Sequence, residues 1–288
     1  MTQDSSADLP LSPAEVRARH EANRAGWNEG AQYYTTLIDS TVAFISAGQS
    51  NLHPVERRNL GDLRAWCHTA IHLQCASGKD TLSLLNEGVR QVVGVDISDV
   101  HIENARQITA ALALRAPEVG AQATWVRCDV LDTPHALDGM ADLVYTGRGA
   151  LCWIHDIQAY AEVVTRLLKP GGVYHVLDEH PITILFDLEP ETYVFRGASY
   201  FGHWEASVGW PSSYIGDSLG IPAAEQATKV ERGWTLMEIF TALTRAGLTV
   251  EILGEHPDPY WDIFPNLKPE LRGIIPLTFS MLARKKAA

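Results

Sequence analysis

The sequence predicts an open α/β fold with a mostly parallel sheet, and three stretches of the chain predict it. Residues 70–73 form a short apolar run, residues 74–78 a turn of small residues, and residues 81–85 the start of a helical apolar pattern. Residues 92–96 and 124–128 read as further buried strands. Their spacing is that of successive strand–helix units, which place parallel strands side by side.

The ends of these strands carry residues suited to a nucleotide. The backbone N–H groups of the loop at 74–78 and the positive end of the next helix can hold a carboxylate, and Gly78 lets a ligand approach the main chain. Asp96 can accept hydrogen bonds from a ribose diol, and Asp129 one from an adenine amino group. Taken alone, two parallel strands joined by a loop and a helix, with an acid after the second strand, would fit NAD(P) or a flavin equally well. Ile97 and Val130 would supply apolar faces for the ring.

Later motifs separate these cofactors. Residues 72–83 read His-Leu-Gln-Cys-Ala-Ser-Gly-Lys-Asp-Thr-Leu-Ser, residues 145–153 read Tyr-Thr-Gly-Arg-Gly-Ala-Leu-Cys-Trp, and residues 277–280 read Leu-Thr-Phe-Ser. Residues 168–177 form a helix end, a Pro-Gly-Gly turn and a strand. In this order the motifs resemble the class I S-adenosyl-L-methionine (SAM) methyltransferases, in particular a small-molecule branch of specialised metabolism, over roughly residues 65–180.

The first motif departs from the usual pattern of that family. His72 stands at the position of its acid, Gln74 and Ala76 stand at two of its three glycines, and Gly78 alone remains. The resemblance implies a Rossmann-like class I methyltransferase fold, with a seven-stranded mostly parallel sheet and an antiparallel edge pair. It also implies SAM as the cofactor, held at Gln74, Cys75, Ala76, Gly78, Asp80, Thr81, Asp96, Ile97, Asp129, Val130 and Thr146.

The composition of the chain limits the kinds of molecule that it is expected to bind. With 288 residues and 46% hydrophobic content, the chain can bury a full core as one domain, with or without a cap. A formal charge of -12 opposes attraction to nucleic acid, so we expect a small-molecule substrate. The four cysteines lack CxxC spacing and read as reduced packing residues. The N-terminus lacks a signal-peptide pattern and no run is long enough to span a membrane, so we expect a cytoplasmic protein without a membrane partner.

We expect one structural domain in four parts: an N-terminal helical cover (1–64), the SAM-binding core (65–183), an inserted aromatic-rich cap (184–232), and a closing helix and strands (233–288). The capping pattern at Ser12 predicts a helix that continues with interruptions toward Ser46. The cap is interpreted as a substrate lid or as an aromatic subunit interface, so a homo-oligomer is an alternative. Tyr33 and Tyr34 would close over the cofactor or pack on the sheet. The candidate substrate contacts are Arg148, Tyr33, Tyr34, Trp204, Trp210, Tyr200 and Phe201.

Chemistry is expected at the carboxyl ends of the fourth and fifth strands. Strand four, at 141–146, is followed by Arg148 between two glycines, where a guanidinium suits a phosphate or a carboxylate or pairs with a nearby acid. Strand five ends in Asp178, Glu179 and His180, which are candidates for taking a proton. Because neighbouring side chains of a strand face opposite sides, one or two of them would reach the pocket, Glu179 first and His180 next. A structural acid cluster is the alternative.

The aromatic cap, the candidate base and Arg148 together resemble the prenyl-diphosphate C-methyltransferases that modify geranyl diphosphate. Methylation of an alkene carbon leaves a carbocation, which aromatic faces stabilise and a carboxylate quenches by removing a proton. In this interpretation Trp210 shapes the hydrocarbon pocket, Glu179 is the base, and Arg148 meets the diphosphate, with Mg²⁺ as an optional bridging ion. The alternatives are an O- or N-methyltransferase of an aromatic or amino-acid-derived metabolite, and a SAM-binding protein that transfers no methyl group.

Overall fold

The structure is a computed structural model that describes residues 11–116, 120, 122–201, 203–212 and 214–287. Seven strands form one sheet in the order β3-β2-β1-β4-β5-β9-β8, and β6 pairs with β7 in a separate hairpin. The strands are β1 (Thr69–Leu73), β2 (Gln91–Asp96), β3 (Ala123–Arg127), β4 (Ala141–Thr146), β5 (Leu168–Glu179), β6 (His203–Val208), β7 (Thr228–Gly233), β8 (Leu248–His256) and β9 (Thr278–Lys285).

The direction of the strands confirms the predicted fold class. Strands β1 to β5 run parallel, whereas β9 is antiparallel to both β5 and β8. The chain crosses from β3 back to β4 on the other side of β1, so the sheet changes its winding direction at β1. Open α/β sheets bind their ligands outside the carboxyl ends of the strands at such a point.

The helices cover both faces of the sheet. Apolar side chains of β1, β4 and β5 pack against the last two helices on one face, and others pack against the helices between β1 and β3 on the opposite face. The helices are α1 (Pro13–Thr35), α2 (Ile38–Ser46), α3 (Pro54–Leu60), α4 (Leu63–Trp66), α5 (Lys79–Asn86), α6 (Asp99–Arg115), α7 (Ile157–Leu167) and α8 (Leu236–Arg245).

Helix α1 begins as its sequence predicts. Ser12 accepts a hydrogen bond from the Glu15 N–H, and the Glu15 carboxylate accepts one from the Ser12 N–H in return. Pro13 in the first turn needs no helical N–H partner, so it favours the same start. Among the described residues, no helix is long and apolar enough to cross a membrane.

The hairpin of β6 and β7, which we call the cap hairpin, was not predicted from the sequence. The two strands are separated by about twenty residues, so the chain lacks the short turn that identifies a hairpin. Helix α1 holds the cap hairpin firmly. The Asn23 amide donates to the Val230 carbonyl at 2.8 Å and accepts from the Val230 N–H at 2.7 Å. A Cβ atom at Gly26 would lie 2.4 Å from the Lys229 side chain, so only glycine allows this approach.

Candidate active site

A cavity of about 510 Å³ lies at the carboxyl ends of β1, β2 and β4, beneath α1. The loop after β1 forms its floor, and α1 and α2 form its roof. Most of the predicted cofactor residues line it: Gln74, Cys75, Ala76, Gly78, Asp80, Asp96, Ile97, Asp129 and Val130.

The loop after β1 explains why the related family places glycine there. Gln74 and Ala76 adopt left-handed backbone angles, with φ of 59° and 47°, which side chains disfavour and glycine accepts. Gly78 also has a positive φ of 84°, and a Cβ atom on it would lie 2.3 Å from the Trp125 ring. Other residues can therefore replace two of the three glycines of the family motif at a cost in backbone strain. Gly78 is also needed for packing against the Trp125 ring.

Two carboxylates mark one end of the cavity. Asp96 accepts hydrogen bonds from the N–H groups of Ala76 and Ser98, each at 2.8 Å, and burial raises the pKa of its carboxyl to about 6 despite these bonds. Asp129 is paired with two residues of α1, His20 and Arg17, at 2.8 Å each. Helix α1 is thus anchored directly over the place expected for adenine.

The lining fits SAM chemically. The side-chain amide nitrogen of Gln74 donates to the Ala150 carbonyl at 2.8 Å, and within the part of the chain that the structure describes its buried oxygen has no hydrogen-bond partner, so it can accept one from an ammonium group. Asp96 and Asp129 offer carboxylate oxygens for a ribose diol and an adenine amino group. The cavity therefore contains acceptors of the kind that the ammonium, ribose and adenine donors of SAM require.

Two predicted cofactor residues lie elsewhere. Thr81 is fully buried and its hydroxyl is 2.8 Å from His72 Nδ1, which stands where the family has its acid. Thr146 is also buried, with its hydroxyl 2.5 Å from that of Tyr160. Both hydroxyls are hydrogen-bonded inside the core, so neither residue lines the cavity.

Arg148 lines the cavity but is held by ion pairs. Its guanidinium is 2.6 Å from Asp80, 3.6 Å from Glu56, and donates to the Asn51 carbonyl at 3.0 Å. Burial lowers the pKa of Arg148, but the charges of Asp80 and Glu56 outweigh burial and raise it. The charge that was predicted to meet a diphosphate is already balanced by two carboxylates.

We expect Arg148→Ala to lower the free energy of unfolding by about 3 kcal/mol, because it leaves the buried Glu56 and the half-buried Asp80 without their cationic partner. Urea denaturation measures this change. Lys169→Ala is the matched control, since Lys169 forms a more exposed pair with Asp142 and should cost at most about 1 kcal/mol. Unchanged stability with a raised KM for the acceptor would instead assign Arg148 to ligand binding.

The three polar residues that end β5 face different surroundings. The Asp178 carboxylate accepts from the N–H groups of Gly149 (2.7 Å), Ala150 (3.1 Å) and Leu151 (2.8 Å), so it fixes the turn after β4. His180 bonds through its two ring nitrogens to the Glu255 carboxylate and the Ile182 N–H, on the side of β8. These contacts engage both side chains, so we expect Asp178 and His180 to have structural roles.

Glu179 has a different environment. One of its oxygens accepts from the Thr183 hydroxyl at 2.6 Å and the other from the Trp261 indole at 3.2 Å. Burial raises the pKa of the Glu179 carboxyl to about 7, against these hydrogen bonds, and the charges of Asp178 and Glu231 raise it further. A carboxyl with this pKa can take a proton near neutral pH.

Of the aromatic residues predicted to contact the substrate, one lines the cavity and the others lie outside its lining. Tyr34 lines the cavity, and its hydroxyl is hydrogen-bonded to that of Tyr214. Tyr33 packs edge-on against Tyr34, and Trp210 is buried behind Trp27 with ring centres 4.5 Å apart. Phe201 is 78% exposed and contacts Tyr200, whereas Trp204 stacks on His155. Tyr33, Trp204, Trp210, Tyr200 and Phe201 all lie outside the cavity lining.

Comparison with known proteins agrees with this geometry. Residues 70–172 match the family model described as a methyltransferase domain. The chain is 25% identical over 191 residues to an uncharacterized methyltransferase of Synechocystis, covering 64% of this chain and 77% of that protein. Residues 70–172 are therefore similar to methyltransferase domains.

Solved structures share the fold of this chain. A SAM-dependent methyltransferase from Mesorhizobium loti matches 81% of this chain and 96% of its own, with 22% identity and a TM-score of 0.54. The geranyl diphosphate C-methyltransferase from Streptomyces coelicolor A3(2), solved with Mg²⁺, geranyl diphosphate and S-adenosyl-L-homocysteine, matches 81% of this chain and 78% of its own. Its identity is 15% and its TM-score 0.53.

Several residues of the candidate site were not predicted from the sequence. Helix α1 brings His20, Asn23 and Trp27 to the cavity, the turn after β4 brings Trp153, and the cap brings Tyr214. His20, Asn23 and Trp27 are three and four residues apart, which is the spacing of one helix face, so the pattern was present in the sequence. It indicates one buried face, but it does not reveal that this face covers a ligand.

Proposed function

We propose that the chain is a SAM-dependent methyltransferase that acts on a small molecule, and that Glu179 accepts the proton which the acceptor loses. Glu179 carries the proposal, because it lies at the carboxyl end of β5 and burial raises its pKa to about 7, so its carboxylate can take a proton near neutral pH. The hydrogen bonds from Thr183 and Trp261 hold the carboxylate in one orientation. Such fixation is typical of a group that must meet a reacting atom.

Contacts connect Glu179 to the cofactor cavity. Trp261, which donates to Glu179, packs against Tyr214 with ring centres 5.9 Å apart, and Tyr214 lines the cavity. The Tyr260 hydroxyl lies 3.5 Å from Asp178, whose other contacts fix the cavity residue Gly149. We therefore place the acceptor between Tyr214, Gly149 and Glu179.

The chain's own residues supply positioning, exclusion of water and a proton acceptor. SAM, when bound, supplies an electrophilic methyl group on a sulfonium sulfur. A new bond forms between the acceptor atom and this methyl carbon while the carbon–sulfur bond breaks and its electron pair stays on sulfur. The Glu179 carboxylate takes the proton from the methylated atom, and Tyr214 with α1 keeps water from the reacting groups.

The first candidate acceptor is a nitrogen or oxygen atom of an aromatic or amino-acid-derived metabolite. Both atoms lose a proton on methylation, as Glu179 requires. The rings of Tyr214, Tyr260 and Trp261 can pack on a planar substrate. Arg148 favours this candidate over an anionic one, because its charge is balanced by Asp80 and Glu56.

The second candidate is C-methylation of an alkene carbon of a prenyl diphosphate such as geranyl diphosphate. Aromatic rings beside a carboxylate suit a carbocation and the loss of its proton, which is the observation that favours it. Arg148 would have to exchange an acidic partner for the diphosphate. The described part of the chain contains no group of three His, Cys, Asp or Glu arranged to hold a metal ion, so we assign no step to Mg²⁺.

Methyl-labelled SAM tests the proposal. The purified protein is incubated with aromatic amines, phenols, amino-acid derivatives, geranyl diphosphate and farnesyl diphosphate, with and without Mg²⁺, and label transfer is followed by mass spectrometry. Transfer to an amine or phenol supports the first candidate, and transfer to a prenyl diphosphate supports the second. Tight SAM binding without transfer to any member of the panel would contradict the proposal and favour a SAM-binding protein without catalysis.

A further inference from the structure

His20 of α1 lines the cavity and contacts the carboxylate that is expected to meet adenine. The residue is buried, with 4% of its surface exposed. Its ring nitrogen Nδ1 lies 2.8 Å from an oxygen of Asp129, which also lines the cavity. The other ring nitrogen, Nε2, accepts a hydrogen bond from the backbone N–H of His155 at 3.1 Å. The ring is thus held at both nitrogens, between the segment after β3 and the segment after β4.

These two contacts determine which nitrogen of His20 carries the hydrogen. A backbone N–H group can only donate, so Nε2 is an acceptor without a hydrogen. The hydrogen of the neutral ring therefore lies on Nδ1 and points to Asp129. A protonated ring would set its Nε2–H group against the N–H group of His155. The backbone of His155 therefore selects the form of His20 that donates to the Asp129 carboxylate.

The Asp129 carboxylate has a donor for each of its oxygens. Oδ1 accepts from the N–H group of Leu131 at 2.9 Å, and Oδ2 accepts from His20. Arg17 forms an ion pair with Oδ2 at 2.8 Å, but its side chain is 41% exposed. Burial raises the pKa of Asp129, but these hydrogen bonds and the charge of Arg17 outweigh burial and lower it. Because a carboxylate offers about four acceptor positions, Asp129 stays ionised and can still accept a hydrogen bond from a ligand.

The state of this carboxylate decides which base it accepts. Adenine carries an exocyclic amino group, which donates, whereas hypoxanthine carries a carbonyl oxygen at the same position, which accepts. An ionised carboxylate in a fixed orientation binds the amino group and repels the carbonyl oxygen. A carboxyl that is free to turn and to take up a proton could instead donate to the carbonyl oxygen. The donor that fixes Asp129 therefore also determines how well the site separates the two bases.

We infer that His20 is a positioning residue, which fixes the Asp129 carboxylate as an acceptor and thereby makes the cofactor site select adenine over hypoxanthine. This inference rests on the proposed function, because it assumes that SAM occupies the cavity. His20 acts through Asp129 and touches none of the reacting groups. Since His20 belongs to α1, the selection of the base depends on the helix that roofs the cavity.

Two ligands that differ only in the base test this role: S-adenosyl-L-homocysteine and S-inosyl-L-homocysteine. Calorimetry measures their affinities, and we expect the wild type to bind the adenosyl compound at least about tenfold more tightly. The ratio of the two affinities is the readout, because a general loss of stability weakens both ligands and leaves their ratio unchanged.

Asparagine and glutamine separate the two contacts of His20. The asparagine amide nitrogen can take the place of Nδ1 and donate to Asp129, so His20→Asn should keep the wild-type ratio. Glutamine reaches the place of Nε2 and can accept from the His155 N–H group, but it leaves Asp129 without its donor. His20→Gln should therefore lower the ratio to about threefold or less. The control His135→Gln should keep the ratio, because His135 pairs with Asp138 at an exposed site outside the cavity.

Equal binding of the two ligands by the wild type, a ratio that survives His20→Gln, or a ratio that is lost in His20→Asn would overturn the inference and leave the proposed methyl transfer intact. A His20 variant that binds neither ligand would overturn it too, because His20 would then maintain the fold rather than the selectivity. Failure of the proposed function would appear instead as no labelled product from any acceptor. A wild type that binds neither ligand would contradict the SAM site, and with it both proposals.

Discussion

Glu179→Gln is expected to lower kcat by about 10²- to 10⁴-fold, the usual contribution of a positioned acid or base. Glutamine keeps the size of the side chain and a hydrogen-bond acceptor for Thr183 or Trp261, but it cannot take a proton. The dissociation constant of SAM should not change, because Glu179 lies outside the cofactor cavity. Steady-state kinetics with an acceptor found in the labelled panel, together with calorimetry for SAM, measure both quantities.

The pH profile separates loss of the base from loss of structure. Glu179 must be ionised to accept a proton, so kcat/KM of the wild type should fall below pH 7, by about tenfold per pH unit. This fall in kcat/KM at low pH should be absent in Glu179→Gln. Glu255→Gln, which removes an exposed carboxylate on β8, should keep both the rate and the fall in kcat/KM at low pH. A wild-type rate in Glu179→Gln would remove Glu179 from the reaction.

Asp96→Ala should weaken SAM binding by roughly 10- to 150-fold, which corresponds to about 1.5–3 kcal/mol for hydrogen bonds to a charged group. The carboxylate lies at the end of β2 and lines the cavity, where a ribose diol can donate to it. Calorimetry with S-adenosyl-L-homocysteine measures the loss without turnover. Asp138→Ala is the control, because Asp138 pairs with Arg166 outside the cavity.

The same carboxylate gives SAM affinity a pH dependence. Burial raises the pKa of Asp96 to about 6 in the free protein, so protonation below pH 6 removes the charged acceptor and affinity should fall there. The decline should be absent in Asp96→Ala. Unchanged affinity in that variant, at neutral pH, would mean that other residues hold the ribose.

The sheet could be predicted because its signals are local. Apolar runs ending in Asp96 and near Asp129 marked strands and their carboxyl ends, and parallel strands bring those ends to one edge. The pairing of Arg148 could not be predicted in the same way. Its partners Glu56 and Asp80 come from α3 and α5, and only the folded chain brings these segments together.

The cap shows the other limit of the sequence. Its aromatic residues follow no regular period, so nothing in the sequence distinguishes Tyr214, which reaches the cavity, from Phe201, which is exposed. The division of the chain into cover, core, cap and closing strands stays a prediction.

The bonds between Asn23 and the Val230 backbone have a consequence for the release of the cofactor. Helix α1 roofs the cofactor cavity, and the same helix is fastened to the cap hairpin. A movement of α1 that opens the cavity therefore also displaces the cap hairpin. We expect the release of spent cofactor to require both parts to move together.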